Sequence, residues 1–543
     1  MQVGTAMVRR ALGGVVTGSE PGGRRRSEPV RASGPEETDV AAAAEAGGGD
    51  TPSMPSTGRQ TLWNYLIFAL SKSSTLLMTI VVARILTPTE FGVFALAVLV
   101  VNLFDYVKDL GVASALVQNR RDWRVLAPTG LTLSVLFGLL ASGLLAAFAG
   151  VAANILGEPE LTNLIRVLAI GLAISALSVV PSAWLRRSMN FSARLMPEFV
   201  GALTKTGLTI GLAAAGFGVW SLAYGQLAAS IVMTILYWWV AHVRFGLSLD
   251  GPVARELIRF GLPVTAVTLL AYAIYNVDYL AVGERLGATE LGLYTLAYRI
   301  PELVVLSLCV VVSEVLFSAL SGLQHDRAAL TAHYLQALTV VAALTIPIGL
   351  GLAVAAQPVV ATMYGSQYAE SAPILSVLAV FTVVYSASFH AGDVFKAIGR
   401  PGILTAINAG KLAVLIGPIW WAAGHSALMV AWALLAVEVL HFLVRMSVLR
   451  WLTGTGWGAV AGALWRPAAA ALPMGLVLLA LARVIDRLAD PLELLLLVVV
   501  GVVVYVLLLR FTAPQLVKTA YGAVRRRLSR SAGTSENRVK EGP

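Results

Sequence analysis

The chain has one cysteine, Cys309, and only 13% charged residues among 543. A lone cysteine excludes an intramolecular disulfide and any clustered thiolate metal site, and it leaves the compartment unread. So low a charge content is foreign to soluble domains, which carry about 25%. The sequence also lacks the G-x-x-x-x-G-K-[ST] phosphate loop of a built-in ATPase and an H-E-x-x-H zinc motif. Its six histidines form no triad-like cluster. No catalytic residue, metal or other cofactor is therefore expected. Residues 1–58 lack an apolar run of signal-peptide type and are rich in Gly, Ala, Ser, Glu and Arg, with Arg24-Arg25-Arg26. Such a composition does not bury enough apolar surface to fold.

What the chain does have is hydrophobic length. It is 57% hydrophobic, with a mean hydropathy of +0.78. A bilayer core about 30 Å thick is crossed by roughly 20 apolar residues in a helix. About fourteen segments meet that length. They are expected at 60–83, 91–117, 128–152, 162–182, 196–216, 218–241, 260–283, 289–320, 330–356, 373–397, 402–423, 427–449, 467–484 and 491–510. Only helices and closed barrels satisfy their own backbone in lipid, so the fold class is all-α and polytopic.

The formal net charge of +10 gathers in the tails and in alternate loops. Arg120, Arg121 and Arg124 follow the second span, Arg186, Arg187 and Arg194 the fourth, and Arg244, Arg255 and Arg259 the sixth. Arg327, Lys396, Arg400, Arg445, Arg450 and Arg466 continue the alternation, while Arg84, Arg285, Arg483 and Arg487 break it. This bias predicts a cell-membrane protein with both termini in the cytoplasm, and it makes nucleic acid an unneeded partner. The C-terminal stretch from 512 to 543, with Arg525-Arg526-Arg527, reads as a basic cytoplasmic tail.

An internal repeat organises the spans. Thr89-Glu90-Phe91-Gly92-Val93-Phe94-Ala95-Leu96-Ala97 and Thr289-Glu290-Leu291-Gly292-Leu293-Tyr294-Thr295-Leu296-Ala297 are identical at five of nine positions. Each follows the first span of a six-span unit. Six is even, so the two units share one orientation and are related by an axis along the membrane normal. The expected organisation is a 1–58 tail, a six-helix lobe over 59–243, a second over 244–450, two further helices within 451–511, and the 512–543 tail.

Ionisable groups at membrane depth usually face a bundle interior or a wet cavity. Arg299 with Glu302, Asp393 with Lys396, and Asp105 with Lys108 and Asp109 have neighbours in sequence that neutralise them locally. Lys72, Arg166, Lys205 and Lys411 do not. Either they line a positively charged cleft that draws an anionic phosphate or diphosphate out of water, or they pair across helices with acids such as Glu198, Asp105 or Asp109. Asp278 also lacks a local partner. With Asn276 it either takes up H+ or Na+, or it makes a helix–helix bond.

Several stretches together resemble polysaccharide-transport flippases of the Wzx type, within the superfamily that also holds MATE exporters and lipid II flippases. These are Ala83-Arg84-Ile85-Leu86-Thr87-Pro88-Thr89-Glu90-Phe91-Gly92, Asp109-Leu110-Gly111 and Ala115-Leu116-Val117-Gln118, then Asn276, Asp278, Gly283, Leu286-Gly287, Leu291-Gly292-Leu293-Tyr294 and Tyr298-Arg299. The resemblance covers about 60–450. It implies twelve core helices in two lobes plus two extra helices, and alternating access. It also implies a polyprenyl-diphosphate-linked oligosaccharide as cargo, with membrane lipids, a polymerase and glycosyltransferases as partners. A transporter rather than an enzyme is expected. Two competing readings are a MATE-like exporter and a membrane glycosyltransferase or polymerase. The exporter is disfavoured because the first span holds Lys72 and no acid, and the enzyme because the outer loops are only a few residues long.

Overall fold

The computed structural model describes residues 71–514 except Lys72 and Arg244, and leaves the side chains of Phe191, Ser192 and Glu314 undescribed. Both tails and Lys72 thus lie outside the described residues. Within them the regular structure is entirely helical, as burial of backbone polar groups in lipid demands. The end of the first span is α1 (Ser73–Ala83). There follow α2 (Pro88–Val107), α3 (Val112–Gln118), α4 (Trp123–Ile155), α5 (Leu161–Ala176), α6 (Val179–Arg187), α7 (Phe191–Ala214) and α8 (Trp220–Ala241). The second half comprises α9 (Gly251–Leu286), α10 (Ala288–Pro301), α11 (Ser307–Ser321), α12 (Arg327–Val354), α13 (Ala356–Met363), α14 (Ser371–Phe389), α15 (Ala391–Ala397), α16 (Pro401–Ala423) and α17 (Ala427–Thr453). Two more helices close the chain, α18 (Trp457–Ile485) and α19 (Asp490–Thr512).

Among the described residues, eleven spans are long and apolar enough to cross a membrane, and the bent pair α5–α6 makes a twelfth. Of the fourteen expected, the first is described only from Ser71 onward. The fifth, α7, is long enough, but its sequence carries Arg194, Glu198 and Lys205. Polar content, not length, sets it apart.

The interrupted spans are the second and fourth of each half. Between α2 and α3 the chain turns through Leu110 and Gly111, both at positive φ, while the Asp109 carboxylate accepts the Gly111 and Ala113 N–H groups. Between α5 and α6 the axis bends by 44°, where the Ser175 and Ser178 hydroxyls bond back to the Leu172 and Ser175 carbonyls. Such back-bonding competes with the helical ladder. In the second half, α10 ends at Pro301 and passes through a π-helical turn, Glu302–Leu306, into α11. The α14–α15 break at His390 again follows serines bonding backward, Ser386 to Val383 and Ser388 to Tyr385.

The two copies of the nine-residue repeat pack on each other. At the start of α2, Thr87 and Glu90 form a capping box. Gly92 lies so close to the Ala288 carbonyl, and Gly292 to the Pro88 carbonyl, that a Cβ at either position would overlap backbone. The Thr89 and Thr289 hydroxyls meet at 2.9 Å. This end of the molecule is the elbow face. At the opposite, basic face, Gly111 and Gly261 make a second backbone contact, and Glu256 of α9 holds Asn119 at 2.9 Å and Arg121 at 3.1 Å. One continuous apolar core runs from Met78 through α2, α5, α10, α14 and α17 to Tyr505.

Candidate functional site

Lys205 lies on α7, the polar helix of the first half. Its ammonium donates to Gln226 Oε1 on α8 at 2.6 Å and forms no ion pair among the described residues. The charge whose field falls on it is Arg299, on α10 of the second half. Arg299 keeps a long contact, 3.5 Å, to Glu302, and both side chains are partly exposed. Sequence reasoning passed over Arg299 because Glu302 stands one turn away.

The acids that were alternative partners for Lys205 are engaged elsewhere. Asp105 pairs with Lys108 at 2.6 Å, Glu198 with Arg194 at 3.1 Å, and Asp109 caps α3. Arg166 is exposed on α5, on the same stripe as Ile170 and Leu177 and away from the buried Leu164, Ile165 and Leu168. It is not brought to Lys205 by any contact described.

Lys411 is placed differently. It is buried on α16, 2.5 Å from Glu438 on α17, with its Nζ 5.8 Å from the centre of the Tyr385 ring. Glu438 also accepts the Ser388 hydroxyl at 3.1 Å and lies 3.3 Å from His441 Nδ1. Arg445 donates to the Ser388 carbonyl and to Asn408 Oδ1. Charge alternation alone puts Arg445 in a basic loop, yet the structure buries it within α17. Lys411 is therefore one member of a buried polar network. The signal for that network is in the sequence: Glu438, His441 and Arg445 recur at helical spacing on one face.

Asp278 is fully buried on α9. Tyr294 donates to its Oδ2 at 2.7 Å, and its Oδ1 has no partner among the described residues. Asn276 turns to its own backbone, donating to the Tyr272 carbonyl at 2.8 Å. No contact described joins Asn276 to Asp278.

A long apolar groove of about 1220 Å³ runs between α12, α18 and α19. Pro347, Leu352, Leu478, Leu497, Val502 and Val506 line it, and Tyr505 fixes α19 by donating to the Ala343 carbonyl at 2.8 Å.

An all-helical, multi-pass fold with interrupted helices and ionisable groups held within its spans is transporter architecture. The chain belongs to the family described as "Polysaccharide biosynthesis protein", whose pattern it matches over residues 81–373. It is 25% identical over 431 residues to the lipopolysaccharide biosynthesis protein WzxC of Escherichia coli K12, spanning 78% of this chain and 87% of that one. It is 27% identical over 329 residues to the succinoglycan biosynthesis transport protein ExoT of Rhizobium meliloti 1021, spanning 60% of this chain and 66% of that one. Its fold is similar to that of a solved structure of the lipid II flippase MurJ, itself in an inward closed conformation. The TM-score is 0.71 at 16% identity, covering 84% of this chain and all of the other.

Proposed function

We propose that this protein is a flippase. It moves a polyprenyl-diphosphate-linked oligosaccharide from the cytoplasmic to the outer leaflet of the cell membrane by alternating access, for the assembly of a surface polysaccharide. The observation that carries the reading is Lys205, a cation at membrane depth that donates to Gln226 and has no ion-pair partner among the described residues, within electrostatic reach of Arg299 in the second half of the chain. A diphosphate leaving water needs such partners, because buried charge is tolerated only when paired. Translocation breaks no covalent bond, so binding and re-exposure suffice. The apolar groove between α12, α18 and α19 suits the hydrocarbon tail. The basic face is cytoplasmic by the charge bias, with both termini on that side, and the elbow face is external. Lys72, whose sequence position is mid-depth in the first span, is proposed as a further cation of the cleft. Asp278 is proposed as the acceptor of a coupling H+ or Na+. A polymerase and glycosyltransferases acting on the same lipid are the expected partners.

The test is deletion of the gene followed by analysis of lipid-linked intermediates. The flippase reading expects the linked oligosaccharide to accumulate on the cytoplasmic leaflet and surface polysaccharide to disappear. Both should be restored by the parent gene and not by Lys205→Ala. Unchanged surface polysaccharide with increased drug sensitivity would instead assign the protein as an exporter.

A further inference from the structure

Arg84 breaks the alternation of charge, standing on the elbow face where basic residues are scarce. The structure gives it a task. Its Nε donates to the Met363 carbonyl at 3.3 Å, and its Nη2 donates to the carbonyls of Ala361, at 3.3 Å, and Thr362. These three carbonyls end α13, which belongs to the other half. Terminal helix carbonyls have no intrahelical partner and carry the negative end of the dipole, so a guanidinium fits them in charge and in shape.

The contact is returned. Gln367, four residues past the end of α13, donates to the Ala83 carbonyl at 2.7 Å and the Leu86 carbonyl at 3.1 Å, and Tyr368 donates to Leu86 at 2.8 Å. Ala83 ends α1, and Leu86 lies in the turn that follows it. Each half thus caps a helix terminus of the other, next to the Gly92–Gly292 crossing.

We propose that Arg84 and Gln367 form a reciprocal latch that holds the elbow face shut and must be released for cargo to leave there. The proposal rests on the alternating-access reading above and adds the residues that set its closed end. The latch is reversible for a physical reason. Arg84 is exposed at the rim, and water replaces its partners when the halves part.

The experiment needs no cargo, so its failure is separate from failure of the flippase reading. Ala288, buried at the crossing, is replaced by Cys as a reporter in the full chain in membrane vesicles. Labelling by a membrane-impermeant maleimide then follows opening, and the exposed Thr89→Cys marks which side is reached. The native Cys309, fully buried, reports loss of fold through its thermal exposure to a thiol-reactive dye. Arg84→Ala is expected to label at position 288 about tenfold faster, a difference of about 1.4 kcal/mol in opening. Gln367→Ala should accelerate it severalfold, and Cys309 should become exposed at the parent temperature. An unchanged rate in Arg84→Ala overturns the latch. An unchanged rate in Gln367→Ala also overturns it, assigning Arg84 to headgroup anchoring. If Cys309 exposure shifts together with the labelling, the two residues build the fold rather than gate it, and the proposal fails.

Discussion

Thr89 and Thr289 lie 200 residues apart and hold their hydroxyl oxygens 2.9 Å from each other. They occupy equivalent positions of the internal repeat, so the motif meets its own copy. Gly92 and Gly292 make this approach feasible, since each faces backbone of the opposite half. The first span of each half therefore leads into an elbow built to close on itself.

Gly92→Ala and Gly292→Ala should each destabilise the protein by about 1–3 kcal/mol, the range for forced overpacking. Thermal unfolding of the purified protein measures the loss. Gly143→Ala, where a Cβ meets open space in the exposed middle of α4, should leave stability unchanged or raise it slightly.

Glu438→Gln should cost about 3–5 kcal/mol, because it strands a buried ammonium on Lys411. Adding Lys411→Met should recover most of that loss. A double variant no more stable than Glu438→Gln would show that the other ties of Glu438, to Ser388 and His441, hold these helices instead.

Lys205→Ala and Arg299→Ala should each lower oligosaccharide translocation about tenfold or more at unchanged membrane abundance, the usual cost of losing a charged hydrogen bond. Arg166→Ala should have no effect, since its side chain shares the exposed stripe of Ile170. A translocation assay in vesicles scores all three.

Asp278→Asn keeps an acceptor for Tyr294 but has no charge to exchange. Dissipating the H+ and Na+ gradients separately should slow the parent under one condition, while the variant is slow under both. A parent indifferent to both gradients removes Asp278 from coupling and leaves it a helix–helix tie.

The helical membrane class, most span positions and the repeat were all legible in the sequence. Hydrophobic length and charge alternation act locally and are written residue by residue. The interruptions at Gly111, Ser178, Pro301 and His390 were not expected, since 91–117, 162–182, 289–320 and 373–397 each read as one continuous apolar run and back-bonding by serines appears only in the structure.

Partnership was not legible. By itself the sequence determined that Lys205 and Lys411 are cations at membrane depth without acids one turn away. Only the tertiary structure decided that Lys411 is neutralised by Glu438 on the next helix, while Lys205 donates to Gln226 and finds no carboxylate among the described residues. The reason is geometric. Coulombic and hydrogen-bond partners are chosen within a few ångströms, and in a helical bundle those neighbours come from segments tens to hundreds of residues away, brought together by packing that no local pattern encodes.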